Sequence, residues 1–315
     1  MKKNWLCPLC GSKKWILIRK KAWNKKILPK KKLVTCADCR CSSMFPMLTS
    51  EELEKINTVY WSKYQVIRKN VLNTPNDQAI SRIKYIKKYY EIPIYEKILD
   101  IGCGLGLFYD ALKYEFFQIS EYYAVEPDND MRKYLLSKGI KKVYKNINEV
   151  KENNFSLIIM SHILEHLHNP REFLSKIINY LQKDGRIFIE VPNRDDLYKK
   201  FLGLHTIVFN VSGFNKILKE IGYRVIDIST AGQPILELIP NISILKKKIR
   251  RVLPKRVRTI ILFKFKSKLS KIFNWHQKID LKKKDKIVYN NGPHLFDDYG
   301  KNRRYIRILA QIDFE

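Results

Sequence analysis

Three glycines at alternate positions, Gly102, Gly104 and Gly106, follow an apolar run that ends on Asp100. A side chain at these positions would hold a ligand off the backbone and resist the φ values a tight turn needs. The residues that follow (Tyr109, Leu112, Phe116) keep helical spacing, so the turn opens a helix whose first N–H groups face an electron-rich group. Glu126 lies 20 residues beyond Gly106, at the end of a second apolar run, Tyr122 to Val125. A carboxylate placed there can accept both hydroxyls of a ribose. The third glycine comes one residue earlier than in G-x-G-x-x-G, which argues against a nicotinamide dinucleotide.

A second chemistry is written in cysteine. Cys7 and Cys10 form one C-x-x-C knuckle and Cys36 and Cys39 another, with 25 residues between them. Two such knuckles bring four thiolates into a closed tetrahedral set, the preference of structural zinc. Disulfides or unconnected cysteines are the other readings. A region this short has little core, so the metal would supply folding energy. Cys41 could stand in for Cys39, but Cys39 preserves the C-x-x-C loop. Cys103, inside the glycine run, reads as a small packing residue.

Histidines and an acid form the third group. The continuous apolar run Phe155–Met160 suits a strand buried on both faces, and it ends in Ser161-His162-Ile163-Leu164-Glu165-His166. Ligands of open α/β sheets bind beyond the carboxyl ends of the strands, so this stretch borders the site. His162, nearest the strand end, is the candidate proton acceptor. Glu165 and His166 read as acid–base groups or, preferably, as hydrogen-bonded ties between loop and helix. His205 either faces an acceptor or packs in its loop.

The elements that must position these residues alternate along the chain. Trp15, Leu17, Leu33 and Thr35 suit short hairpin strands between the knuckles. Thr49 and Glu52 form a capping box that starts an aromatic-rich helix (Tyr60, Trp61, Tyr64). Asn73–Asp77 reads as a linker and Ala79–Tyr90 as a basic amphipathic helix. Helices at Met131–Ser137, Phe173–Leu181 and Ser212–Ile221 alternate with strands at Lys142–Lys145, Phe155–Met160, Arg186–Val191 and Tyr223–Ile228. Asp184-Gly185 is a turn, and Tyr305–Ile312 a last strand.

Here the residues resemble a family. Ile-Leu-Asp-Ile-Gly-Cys-Gly-Leu-Gly (98–106), then Val-Glu-Pro-Asp (125–128), resemble the first two motifs of class I S-adenosylmethionine-dependent methyltransferases. Ser161 to Pro170 is similar to the family's fourth-strand motif. The resemblance implies an α/β, Rossmann-like sandwich with a seven-stranded sheet whose last strand is antiparallel, preceded by a small zinc ribbon. It implies S-adenosylmethionine as cofactor, with Gly102, Cys103, Gly104 and Gly106 cradling its methionine part and Asp100 orienting the amino group. Glu126 would hold the ribose; Pro127, Asn146 and Ser161 complete the pocket, Asn146 standing where the family often has an acid near adenine. The ribbon in front of this core resembles bacterial methyltransferases of sugar and surface-polysaccharide pathways. That implies a sugar, nucleotide-sugar or lipid-linked saccharide acceptor, with zinc in a structural role.

The domains expected are a ribbon (1–48), a helical linker (49–78), the cofactor-binding core (79–234), a basic insertion (235–295) and the final strand (296–315). The net charge of +30 comes from 61 Lys and Arg against 31 Asp and Glu. Genome-wide bias toward Lys, Ile and Asn explains part of that total, but not its clustering. Leu238 to Ile279 carries 13 Lys and Arg and no acid. Ile261, Phe265, Leu269, Ile272 and Phe273 form one apolar face there, with lysines between them. Such a helix can lie on anionic lipid through residues 244–279, cap the core, or grip phosphates. Without an apolar leader or a membrane-spanning run, the expected location is cytoplasmic, with a peripheral hold on the membrane's inner face as a further reading. Two other functions stay open: RNA methylation, since a ribbon in front of this core also resembles a ribosomal RNA guanine methyltransferase, and a non-catalytic membrane-peripheral or nucleic-acid-binding scaffold. No known RNA-binding module is visible, and a scaffold has no need of a ribose-binding acid.

Overall fold

Successive residues of each central strand are apolar, so the sheet they form must be covered on both faces. The computed structural model describes residues 5–19, 31–49, 51–52, 77–92, 96–116, 119, 121–197, 203–235 and 303–313. Strands β4 (Lys97–Ile101), β5 (Glu121–Val125), β6 (Lys142–Tyr144), β7 (Phe155–Ser161) and β8 (Leu181–Pro192) are parallel neighbours. The chain's last strand, β11 (Arg303–Ile312), inserts antiparallel between β8 and β10 (Tyr223–Pro234). The resulting order is β10-β11-β8-β7-β4-β5-β6. This is the α/β sandwich with an antiparallel last strand that the sequence leads one to expect.

The pleat divides the core in two. Ile98, Tyr122, Leu157, Ile159 and Phe188 point to the face covered by α1 (Asp77–Lys87), α2 (Leu107–Phe116) and α3 (Asn129–Ser137). Their sequence neighbours Leu99, Tyr123, Ile158, Met160 and Ile189 point to the other, under α4 (Pro170–Ile177) and α5 (Val211–Ile221).

That second face also carries the N-terminal ribbon. Strands β1 (Trp15–Arg19), β2 (Lys32–Cys36) and β3 (Ser42–Phe45) form an antiparallel sheet, and β9 (Ile207–Val208) joins as its fourth strand against Ser42 and Ser43. Cys7, Cys36, Cys39 and Cys41 share one apolar cluster with Ile207, Phe209 and Phe214. Gly213 permits the contact: a Cβ there would sit 1.9 Å from the Cys39 carbonyl oxygen. Asn210 caps α5 by accepting from the Gly213 N–H at 2.9 Å, and its amide donates to the Cys39 carbonyl at 3.3 Å and to Cys41 Sγ at 3.2 Å. The N-terminal segment, expected to have little core of its own, thus borrows a strand and a wall from the rest of the chain.

Other boundaries shift for local reasons. The helix expected at Phe173–Leu181 starts at Pro170, because Asn169 caps it and Pro170 suits its first turn; Leu181 already belongs to β8. Asp184-Gly185, expected as a turn, lies within β8. Gly222 closes α5 with φ 106°, as its position after the helix suggests. The capping box is present: the Thr49 N–H donates to Glu52 Oε2 at 2.9 Å and the Glu52 N–H to Thr49 Oγ1 at 3.2 Å. The aromatic-rich helix that follows and the basic insertion, apart from Ile235, lie outside the described residues. Among the described residues no helix is long and apolar enough to cross a membrane.

Candidate active site

The glycine turn leaves β4 at its carboxyl end, next to that of β5. Gly102, Gly104 and Gly106 have φ of 68°, 55° and 69°, all in the left-handed region. The Gly102 N–H donates to the Val125 carbonyl at 2.7 Å and the Gly106 N–H to the Cys103 carbonyl at 2.9 Å, fixing the turn against β5. A Cβ on Gly104 would meet nothing within 4 Å, so that part of the loop faces open space. Glu126 is 3% exposed and held from two sides: Oε2 accepts from the Gly104 N–H at 3.0 Å and Oε1 from the Asp128 N–H at 2.9 Å. The glycine loop and the acid thus form one hydrogen-bonded unit. Pro127 is exposed beside it, and its carbonyl and that of Glu126 accept from Arg132.

Asp100 is buried below the loop, its Oδ2 accepting from the Tyr122 hydroxyl at 2.7 Å. Burial pushes its carboxyl up to about 7, against the opposing pull of that hydrogen bond and of Arg82. Burial likewise pushes the Cys103 thiol well up, in keeping with a packing role. Ser161, at the end of β7, has a buried hydroxyl with no hydrogen-bond partner among the described residues. Asn146, expected near the adenine, follows β6. Its side chain is taken up by the 147–149 turn, accepting from the Asn148 N–H at 3.0 Å and donating to Glu149 at 2.8 Å.

On the β7–β8 side the site is built from side chains. His162 sits at φ 59° immediately after β7, its N–H donating to the Glu190 carbonyl at 2.9 Å. Its ring lies between two buried acids, Nδ1 3.1 Å from Glu165 Oε1 and Nε2 3.2 Å from Glu190 Oε1. Burial alone would lower the imidazole pKa, but hydrogen bonds to Glu165 and Glu190 carry it up to about 9. Both nitrogens of the ring expected to accept a proton thus face carboxylates, which favour its protonated form.

Glu190 was missed as a functional residue, although a carboxylate inside the apolar run Ile187–Val191 is itself a signal. It is fully buried, and its Oε1 accepts from Arg82 Nη2 at 2.6 Å and its Oε2 from Arg307 Nε at 2.6 Å. Burial opposes its ionisation, but Arg82 and the other cations hold its carboxyl well below the usual range. Arg82 comes from α1 and Arg307 from β11, so no local spacing announces the network.

His205 reaches the same region. The Thr206 N–H and hydroxyl donate to the Glu165 carbonyl at 2.7 and 3.2 Å, and the hydroxyl also to Leu167. This stitching sets the His205 ring 4.9 Å from that of His166, edge to face, with Nδ1 2.6 Å from Asp195 Oδ2. Burial lowers the pKa of His166.

The knuckle cysteines meet in the ribbon: Cys7, Cys10, Cys36 and Cys39 place their sulfurs within 4.8 Å of one another, Cys7 to Cys39 at 3.6 Å and Cys10 to Cys36 at 3.5 Å. Hydrogen bonding to Cys36 and Cys41 pushes the Cys39 thiol far up while Cys36 moves down. Neighbouring thiolates need a cation to coexist.

The family model described as a methyltransferase domain matches residues 66–228. An uncharacterized protein of Methanocaldococcus jannaschii is 24% identical over 207 residues, 62% of this chain and 89% of that one. The ubiquinone biosynthesis O-methyltransferase of Rickettsia canadensis is 27% identical over 150 residues; the match covers 46% of this chain and 62% of that enzyme. Among solved structures, the plantazolicin methyltransferase BpumL in complex with SAH aligns over 84% of this chain and 91% of that one, at 14% identity and a TM-score of 0.45. With over half of its length matched by that family model, and with the strand order described above, the chain belongs to the methyltransferase-domain family and is a class I S-adenosylmethionine-dependent methyltransferase.

Proposed function

We propose that this enzyme methylates a hydroxyl of a sugar, nucleotide sugar or lipid-linked saccharide. The observation that carries the cofactor assignment is the buried Glu126 locked to the Gly104 N–H, at a stretch of loop where a Cβ would meet only open space. When bound, S-adenosylmethionine supplies an electrophilic methyl group. Glu126 would accept the two ribose hydroxyls in charge-assisted bonds, the 102–106 loop would lie against the methionine part, and Asp100 would take the ammonium. Ser161, whose buried hydroxyl has no hydrogen-bond partner among the described residues, ends the neighbouring strand β7. With His162 protonated and spent on two carboxylates, this side of the site orients rather than removes protons, and catalysis is chiefly positioning.

The saccharide class rests on the ribbon-plus-core resemblance, and the choice of oxygen on the O-methyltransferase among the relatives. We further propose that Cys7, Cys10, Cys36 and Cys39 hold a structural zinc. The test is to incubate the full chain with labelled S-adenosylmethionine and separate panels of nucleotide sugars, lipid-linked saccharides and RNA. Label entering the saccharide fractions is expected. Label confined to RNA would overturn the acceptor class, and failure of the protein to bind S-adenosylhomocysteine in calorimetry would overturn the cofactor site.

A further inference from the structure

Beside the His162–Glu190 pair, the structure leaves two buried ligand atoms unsatisfied. Glu165 Oε2 and His166 Nδ1 have no hydrogen-bond partner among the described residues. Leaving a buried carboxylate oxygen and an imidazole nitrogen unpaired is costly unless something binds them. A third group lies close to these two residues. Glu165, His166 and His205 each bring a ligand atom within 4.8 Å of the others. Ligands at about 2.1 Å from a divalent ion stand roughly 3.4 Å apart across a tetrahedral edge, so small side-chain rotations close the set.

The surroundings support each ligand as a metal site would require. His162 Nδ1 holds Glu165 by Oε1 at 3.1 Å, and Oε2 is without a hydrogen-bond partner among the described residues. Asp195 Oδ2 takes Nδ1 of His205 at 2.6 Å, which assigns ligation to Nε2 in the carboxylate–histidine–metal arrangement. Thr206 ties the two loops together through the Glu165 and Leu167 carbonyls. The carboxylate forms the buried floor at 1% side-chain exposure, while His166 at 37% and His205 at 12% stand toward the surface. A metal held this way keeps a coordination position on the histidine side.

We propose that Glu165, His166 and His205 bind one divalent transition-metal ion, separate from the cysteine cluster, with an open position for an oxygen ligand. Two imidazoles and one carboxylate suit zinc, iron or cobalt rather than calcium or magnesium. The site lies just beyond the carboxyl end of β7. If the hydroxyl-acceptor reading holds, the open position would take the acceptor oxygen and lower its pKa.

The test is cobalt titration of the full chain, with the ribbon metal in place and weakly held ions removed by dialysis. One equivalent of Co²⁺ is expected to give visible d–d absorption without the near-ultraviolet charge-transfer band of cobalt thiolate. Millimolar azide should shift that absorption. Glu165→Gln, which keeps the hydrogen bond to His162, and His205→Ala should each weaken cobalt binding at least tenfold. Folding of both variants is checked by S-adenosylhomocysteine calorimetry, which reads the cofactor pocket independently of this site. No band, a band with thiolate charge transfer, or cobalt affinity unchanged in both folded variants would overturn the site. An azide-insensitive spectrum would overturn the open position.

Discussion

The carboxyl edge of the sheet has two halves built by different means. On the β4–β5 half, the binding surface is backbone. Three glycines with positive φ turn the loop against β5 through N–H bonds to Val125, Glu126 and Cys103, and Glu126 also accepts from the Asp128 N–H. On the β7–β8 half, it is a buried ionic network. Glu190 gathers Arg82, Arg307 and His162 from α1, β11 and the loop after β7, and His162 passes the contact on to Glu165. The first half can admit a ligand without rearranging charges. The second holds charges whose balance must be kept, so it forms a rigid wall.

The sharpest way to break that contrast is to unbalance the wall. Arg307 is fully exposed to protein and not at all to water; its Nε donates to Glu190 at 2.6 Å and its Nη1 to Ser81 Oγ at 2.8 Å. Removing one partner of a buried pair strands the other, at about 3–5 kcal/mol. Arg307→Met should therefore cost about that much in urea unfolding, despite its similar length. A loss below about 1 kcal/mol would show that Glu190 re-pairs with Arg82 alone and that the network is redundant.

These halves also differed in how far the sequence revealed them. Asp100, the three glycines and Glu126 fall within 27 consecutive residues, and their roles follow from strand-turn-helix geometry that short-range spacing encodes. The seven-stranded sheet with an antiparallel last strand was legible through the family resemblance that these motif residues carry, whereas the strand order was not. Arg82, Glu190 and Arg307 lie up to 225 positions apart, and only β11 slotting between β8 and β10 joins them. Nor does any local pattern say that β9 will complete the ribbon sheet, because two residues paired with Ser42 and Ser43 carry no strand signature of their own. His162 shows the limit for a single residue: its type and position suggested a base, and the two acids that make it a cation sit on other elements or one turn away.

A middle-sized effect should separate the halves by readout. Glu126→Ala removes the charge-assisted bonds expected to the ribose hydroxyls, so S-adenosylhomocysteine affinity should fall ten- to a hundredfold in calorimetry, or about 1.4–2.8 kcal/mol. Unfolding stability should fall less than in Arg307→Met, because the loop still has its backbone bonds to Val125 and Cys103. Unchanged affinity would mean that Glu126 only braces the loop.

The smallest effect tests whether the backbone half is free of titrating charge after all. Asp100 is raised to about 7 by burial, so near neutrality the empty pocket holds it partly protonated. A carboxyl whose folded pKa lies above its unfolded value contributes stability that is full below the unfolded value, about 4, and is lost as pH rises through 7. The cofactor's ammonium reverses the preference, because it favours the ionised form. Binding should then release a proton, and affinity for S-adenosylhomocysteine should weaken toward tenfold per unit as pH falls below 7. Calorimetry at pH 6, 7 and 8, in buffers of different ionisation enthalpy, reads both quantities. Asp100→Asn should flatten the profile and abolish the proton release. If the wild-type profile is already flat, Asp100 does not meet the ammonium, and the glycine half binds its ligand through the loop and Glu126 alone.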